Sequence, residues 1–425
     1  MPPGRARRIV LLALCLLGGA AAAQTAGTGP APGLPREAGV WAELPNTKLS
    51  AVLPPRLPSL GYGHTDAIVG AWNSPAFDAK RRRIVFVAAG GHADYQGNEV
   101  YSFDLATLAW SRLRDPSPPE AMVPFRARAS DGKVISQAQW CQENSHPCSA
   151  NKDGTPVSVH TYAAPLYLPE QDVIYLTGGS RWYDGVGISA SWWLTDLDAT
   201  PPTWVGKARG PTGWLGIQTA WDPDTKRVIV RGYNRYWTYD PATDTYTVRS
   251  RQDGGTGEGT SMVLDAAGRK VYRIGSFPGR FRWRRPGEPT TWANRIPEGV
   301  PRVAMFDLTA AAAGGDSYPG TSGDWDVELD DSPGCQWDPV AKLIACFGTR
   351  KNRETWKATG PALFTLDLAT RVWKAHEPPA GSPLPPMISQ GNTWNRFVLS
   401  GDHAFFIHGT SKNVWAVKLP WRGVP

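Results

Sequence analysis

Leu366-Asp367-Leu368-Ala369-Thr370-Arg371-Val372-Trp373 is the stretch whose reading decides the fold. Usually a Leu or aromatic, then an Asp, a few mostly polar residues and a Trp or Tyr describe the end of one strand, a tight turn and the start of a second strand. The phrase recurs at Phe103-Asp104-Leu105 through Trp110, Thr195-Asp196-Leu197 through Trp204, and Tyr239-Asp240-Pro241 through Tyr246, and a degenerate copy ends at Trp292. Upstream of each copy lies another hairpin, with turns at Asp78-Ala79-Lys80, Pro169-Glu170-Gln171-Asp172, Asp222-Pro223-Asp224, Asp265-Ala266-Ala267-Gly268 and Asp338-Pro339. The strand after each turn is β-branched or aromatic, as in Ile84-Val85-Phe86-Val87 and Leu343-Ile344-Ala345-Cys346-Phe347. Two hairpins in series make a four-stranded unit, and a unit repeated along the chain signals a repeat architecture.

A sixth unit closes the chain, with Thr393-Trp394, the turn Ser400-Gly401-Asp402, the strand Ala404-Phe405-Phe406-Ile407 and then Val414-Trp415-Ala416-Val417. It lacks its last strand, and Val40-Trp41-Ala42-Glu43-Leu44 supplies a candidate, with Trp41 in the place of the fourth-strand Trp. A ring closed in this way leaves short, protected strand edges. These residues, with Gly90-Gly91 and Gly178-Gly179 after two second strands, resemble the kelch and galactose-oxidase-type β-propeller family. The resemblance spans about residues 38–421 and implies an all-β propeller of six four-stranded blades, or seven if an insertion hides another. Residues 116–157 and 295–331 read as insertions within that domain, since neither is assigned a copy of the phrase.

The N-terminus carries Arg5, Arg7 and Arg8, the apolar run Ile9 to Leu17, and Ala21-Ala22-Ala23 before Gln24. That order predicts a signal peptide over residues 1–23 and a linker over 24–37, and hence a secreted or periplasmic chain with no membrane span once mature. Cleavage removes three arginines and no acid, lowering the formal charge from +7 to +4. So mild a basicity argues against a nucleic-acid partner. The four remaining cysteines fall into two local pairs, Cys141 with Cys148 and Cys335 with Cys346. If Asp338 faces Leu343 across its turn, Cys335 falls opposite Cys346, within reach of a disulfide. Neither pair has the spacing of a zinc site. With every mature Cys paired, the Tyr-linked free Cys of copper-radical oxidases has no counterpart.

In the resembled fold, ligands meet the face formed by the starts of first strands and the loops between second and third strands. That placement gathers His64, Asp66, His92, Asp94, Tyr95, His160, Tyr162, Arg181, Trp182, Tyr183, Trp214, Tyr233, Asn234, Arg235 and Arg350. His64, His92 and His160 are candidate ligands for a divalent metal, though no cofactor is demanded. The aromatic and arginine content suits stacking on sugar rings and pairing with acidic groups, which points to a glycan, acidic polysaccharide being the natural candidate, or to a protein partner. Two functions are therefore expected of what reads as a monomer. One is a binding propeller. The other is a propeller-fold polysaccharide lyase with His92, His160 and Tyr162 as acid–base groups and Arg181 neutralising the substrate carboxylate. Finally, the alternation in Asp324-Trp325-Asp326-Val327-Glu328-Leu329-Asp330-Asp331 reads as a strand with a solvated acidic face, with calcium binding as a weaker reading.

Overall fold

The computed structural model describes residues 33–55, 65–91, 94–124, 127–145, 148–210, 216–232, 235–251, 259–275, 303–309, 316–352, 358–386 and 393–422. They form a six-bladed β-propeller of small antiparallel sheets. Blade 1 comprises Ala76–Asp78, Arg83–Val87, Val100–Asp104 and Ala109–Arg114. Blade 2 comprises Leu166–Leu168, Val173–Thr177, Ser191–Thr195 and Thr203–Lys207. Blade 3 runs Gln218–Asp222, Arg227–Gly232, Arg235–Asp240 and Thr245–Arg251. Blade 4 has Ser261–Asp265, Lys270–Ile274 and Ala304–Asp307, and Ser317 bridges Met305 on its outer side. Blade 5 has Gly334–Asp338, Leu343–Lys351, Ala358–Asp367 and Val372–His376. Blade 6 takes Phe397–Ser400, His403–Phe406 and Trp415–Lys418 from one end of the chain and Trp41–Glu43 from the other, with Trp41 opposite Val417 and Glu43 opposite Trp415.

The repeated aspartate works as the turn chemistry requires. Asp104 Oδ1 accepts from the backbone N–H groups of Ala106 and Thr107, both at 2.8 Å, and Asp367 Oδ1 accepts from those of Ala369 and Thr370 at 2.8 and 2.9 Å. Asp307 accepts from Thr309 N–H at 2.8 Å in the same way. Phe306-Asp307-Leu308 is therefore blade 4's own copy of the phrase, inside the stretch expected to be an insertion. Residues 295–331 thus contribute the third strand of blade 4 and also Ser322–Gly323, which pairs parallel to Val372 and Trp373 on the edge of blade 5. The expected copy ending at Trp292 lies outside the described residues.

Each first strand is preceded by a residue with left-handed backbone: Trp72, Tyr162, Gly216, Gly259, Ser332 and Trp394, with φ of 51°, 47°, 69°, 80°, 51° and 33°. Six residues later stand Asp78, Leu168, Asp222, Asp265, Asp338 and Ser400 at the far ends of those strands. Three of these six positions are aspartates paired with arginine, Asp222 and Asp338 across blades and Asp78 within its own hairpin. Asp222 receives Arg269 of blade 4 at 2.7 and 2.8 Å. Asp338 receives Arg422 at 2.6 and 2.8 Å and Trp421 Nε1 at 2.9 Å, while Asp78 receives Arg83 at 3.0 Å. Burial pushes the Asp338 carboxyl up, but its donors outweigh this and hold it below the usual carboxylate range.

Both disulfides form, and Cys335 pairs with Cys346 in the register counted from Asp338 opposite Leu343. The acidic run departs from expectation. Trp325–Leu329 is a short 3-10 helix whose Asp326 and Glu328 are buried, Asp326 against Arg350 at 3.0 Å and Glu328 accepting from Trp373 Nε1 at 2.6 Å. Acids that alternate with apolar residues here face buried donors instead of water, which fits neither a solvated strand nor a calcium loop.

Candidate functional site

The lead-in to blade 2 places His160 by threading it between two glycine pairs. Gly90 N–H donates to Val159 O and Val159 N–H donates to Ala88 O, both at 3.0 Å, so residues 158–160 run directly against the end of blade 1's second strand. A Cβ on Gly91 would lie 1.9 Å from His160 N, and one on Gly179 would lie 2.5 Å from His160 O. The double glycines of blades 1 and 2 therefore permit backbone approach to the same short segment from two sides. Ser180–Arg181 completes the grip by pairing antiparallel with Val159–His160.

His160 Nε2 donates to Asp94 Oδ2 at 2.7 Å. The imidazole is 1% exposed and the carboxylate 38%, so Asp94 is the member of the pair that meets solvent. Asp94 is held by a tight turn, its N–H donating to Gly91 O at 2.8 Å. The loop behind it is pinned from within and from the 116–157 insertion. Tyr95 Oη donates to Glu99 Oε1 at 2.6 Å, Gln96 Nε2 donates to Val123 O at 3.0 Å, and Asn98 Nδ2 donates to Thr155 Oγ1 at 2.8 Å and Pro156 O at 2.9 Å. Burial pushes the Glu99 carboxyl up to about 7, against the opposing pull of Tyr95. The insertion thus preorganises the loop that carries Asp94.

Around the pair the left-handed lead-in residues gather aromatic rings. The Trp72 ring lies 5.2 Å from that of His160, Tyr162 lies 5.9 Å from His160, and Trp394 lies 5.8 Å from Tyr162. Trp394 Nε1 reaches Thr260 O of blade 4 at 3.0 Å. Tyr162 and Trp394 are buried, whereas Trp72 is half-buried against them. Three of the six lead-in positions, in the consecutive blades 6, 1 and 2, carry aromatics where blades 3 and 4 carry glycine, so one side of the axial region is lined by rings. An L-residue in this conformation costs roughly 1–2 kcal/mol, and such strain concentrates at functional positions. Trp72 and Trp394 were not among the candidates read from the sequence. Their signal is the six-residue spacing to the end of the first strand, visible once the blades are aligned on that end.

The other candidates disperse. Tyr162 Oη is hydrogen-bonded to Ser180 Oγ at 3.0 Å inside the core. Trp182, Tyr183 and Tyr95 are buried, so the first two pack with the core of blade 2 rather than presenting faces to a ligand. Arg181 lies opposite Val159 in the ladder and so projects to the other face from His160. Its guanidinium is paired with Asp184 at 2.7 and 3.1 Å and lies over the Tyr183 ring. Arg350 is shared among Asp326, Asp324 and Glu377 at 3.0, 3.3 and 3.1 Å. Asp66 accepts from Ser411 at 3.2 Å, and Arg235 opens blade 3's third strand, half-buried. His64, His92, Trp214, Tyr233 and Asn234 lie outside the described residues.

Elsewhere histidines serve the scaffold: His403 donates to Pro35 O at 2.9 Å, and burial lowers His376 and His408 to about 4. Among the described residues no three His, Cys, Asp or Glu side chains converge as a metal site. Nor is any described helix long and apolar enough to cross a membrane. Comparison of the sequence with protein-family models and with curated proteins finds no match to either.

Proposed function

We propose that this chain is an exported β-propeller that binds a glycan on the face carrying Trp72, Asp94 and His160. The observation that carries the reading is the buried imidazole donating to a solvent-facing carboxylate and packed against a half-buried indole. A fixed acceptor for sugar hydroxyls next to an apolar ring face is the combination a pyranose needs, with the polar group setting orientation and the ring supplying contact area. Two disulfides and the N-terminal signal pattern support an oxidising compartment outside the cytoplasm.

Binding is preferred to polysaccharide cleavage because Arg181, assigned to neutralise a substrate carboxylate, is committed to Asp184 on the far side of the ladder from His160. The test is a glycan array probed with the chain from residue 24 onward, alongside an absorbance assay for unsaturated products. The expected result is retention on a subset of glycans, loss of that retention in His160→Ala, and no absorbance change. Product formation that His160→Ala abolishes would replace the binder with the enzyme.

A further inference from the structure

The geometry points to an uncharged sugar as the ligand of this face, in place of the acidic polysaccharide that the arginine content suggests. The inference rests on the glycan reading above and sharpens it. Of the three arginines that made an acidic ligand attractive, two are neutralised, Arg181 by Asp184 and Arg350 by Asp324, Asp326 and Glu377, and Arg235 stands half-buried at the start of blade 3's third strand. The solvent-facing partner of His160, whose ring packs on Trp72, is instead an anion. Asp94 spends Oδ2 on His160, while Oδ1 has no donor among the described residues. An oxygen so placed accepts from sugar hydroxyls and repels a uronate or sulfate brought to the same distance. The loop behind Asp94 is pinned by Gln96 and Asn98, and the carboxylate cannot swing aside without breaking its bond to the imidazole. Trp72 supplies the ring face. Its left-handed backbone is shared with Gly216 and Gly259 at the corresponding positions of blades 3 and 4, so glycine can replace it without altering the path of the chain.

The experiment compares dissociation constants by titration calorimetry for neutral gluco-, manno- and xylo-oligosaccharides and for oligogalacturonate and oligoguluronate of equal length, at low and high salt. The expected result is binding of at least one neutral set roughly tenfold or more tighter than either uronate, a gap that narrows in Asp94→Asn and at high salt. Trp72→Gly, checked for a single cooperative urea transition so that a folded variant is compared, should weaken the neutral ligand by about tenfold or more. Uronates bound more tightly than every neutral sugar, or a preference that Asp94→Asn leaves unchanged, would overturn the inference while leaving the glycan reading in place. Binding of neither class would refute that reading and this inference with it.

Discussion

Replacing Gly91 by alanine should destabilise the propeller far more than the same change at Gly401, and the difference measures how closely blade 2's lead-in presses on blade 1. Both glycines have left-handed backbone, φ 68° and 59°, so both substitutions incur the conformational cost of roughly 1–2 kcal/mol. At Gly401 a Cβ meets nothing within 4 Å. At Gly91 it meets His160 N at 1.9 Å and the Val159 carbonyl carbon at 2.5 Å. Those are backbone atoms of a segment tied to Ala88, Gly90 and Ser180, so no flexible side chain can yield, and overpacking of this kind adds about 1–3 kcal/mol. The expected losses are therefore about 2–5 kcal/mol for Gly91→Ala and about 1–2 kcal/mol for Gly401→Ala. Urea unfolding followed by tryptophan fluorescence gives both. Most of the excess should persist when Gly91→Ala is made in a His160→Ala background, because the clash is with main chain and only secondarily with the imidazole. Equal losses at the two glycines, or an excess that vanishes with the imidazole, would show that Val159–His160 does not lie against Gly91.

Two further outcomes follow from the scaffold. Asp338→Asn should cost about 1–3 kcal/mol near neutral pH by weakening the bonds from Arg422 and leaving its guanidinium under-paired. Because the folded carboxyl lies below its unfolded value of about 3.9, this stabilisation is full above that value and is lost as pH falls through the folded one. Urea midpoints of parent and variant should converge in acid, and a gap that stays constant with pH would contradict the assignment. A chain starting at residue 33 should be soluble and unfold cooperatively, whereas one starting at Leu44 exposes the Trp415–Lys418 edge and should aggregate, as size-exclusion chromatography would report. A well-behaved shorter chain would mean that Trp41–Glu43 does not close the ring.

What the sequence made legible is local hydrogen bonding. In most copies the Asp announces its turn because its carboxylate binds the N–H two residues on, and in Asp104 and Asp367 also the one three on, a contact that needs no partner from elsewhere. The Cys335–Cys346 pair is legible for the same reason, since hairpin register follows from counting back from a turn. In blade 4 the first hairpin is legible and only the third strand is not, because the local signal weakens: Phe306-Asp307-Leu308 keeps the aspartate but is not followed by the aromatic that opens a fourth strand. The burial of Asp326 and Glu328 was illegible because Arg350 and Trp373, which make it tolerable, come from strands at a distance in sequence. The site follows the same division. His160 and Asp94 could be placed on one face from the blade plan, but their bond depends on Gly91 and Gly179 admitting one backbone segment from two blades. Arg350, which looked available, is consumed by acids distant from it in sequence, and Arg181 by Asp184 three residues on. The Gly-Gly pairs occur in the two blades that flank the His160 lead-in, while aromatics replace glycine at the lead-ins of blades 6, 1 and 2. Both departures from six-fold equivalence fall on the same sector of the ring. A scaffold needs no such asymmetry, since a fold held by repeated turns is served equally by identical blades. Concentrating close backbone approach, strained aromatics and the His160–Asp94 pair there is the pattern expected when one sector has acquired a ligand.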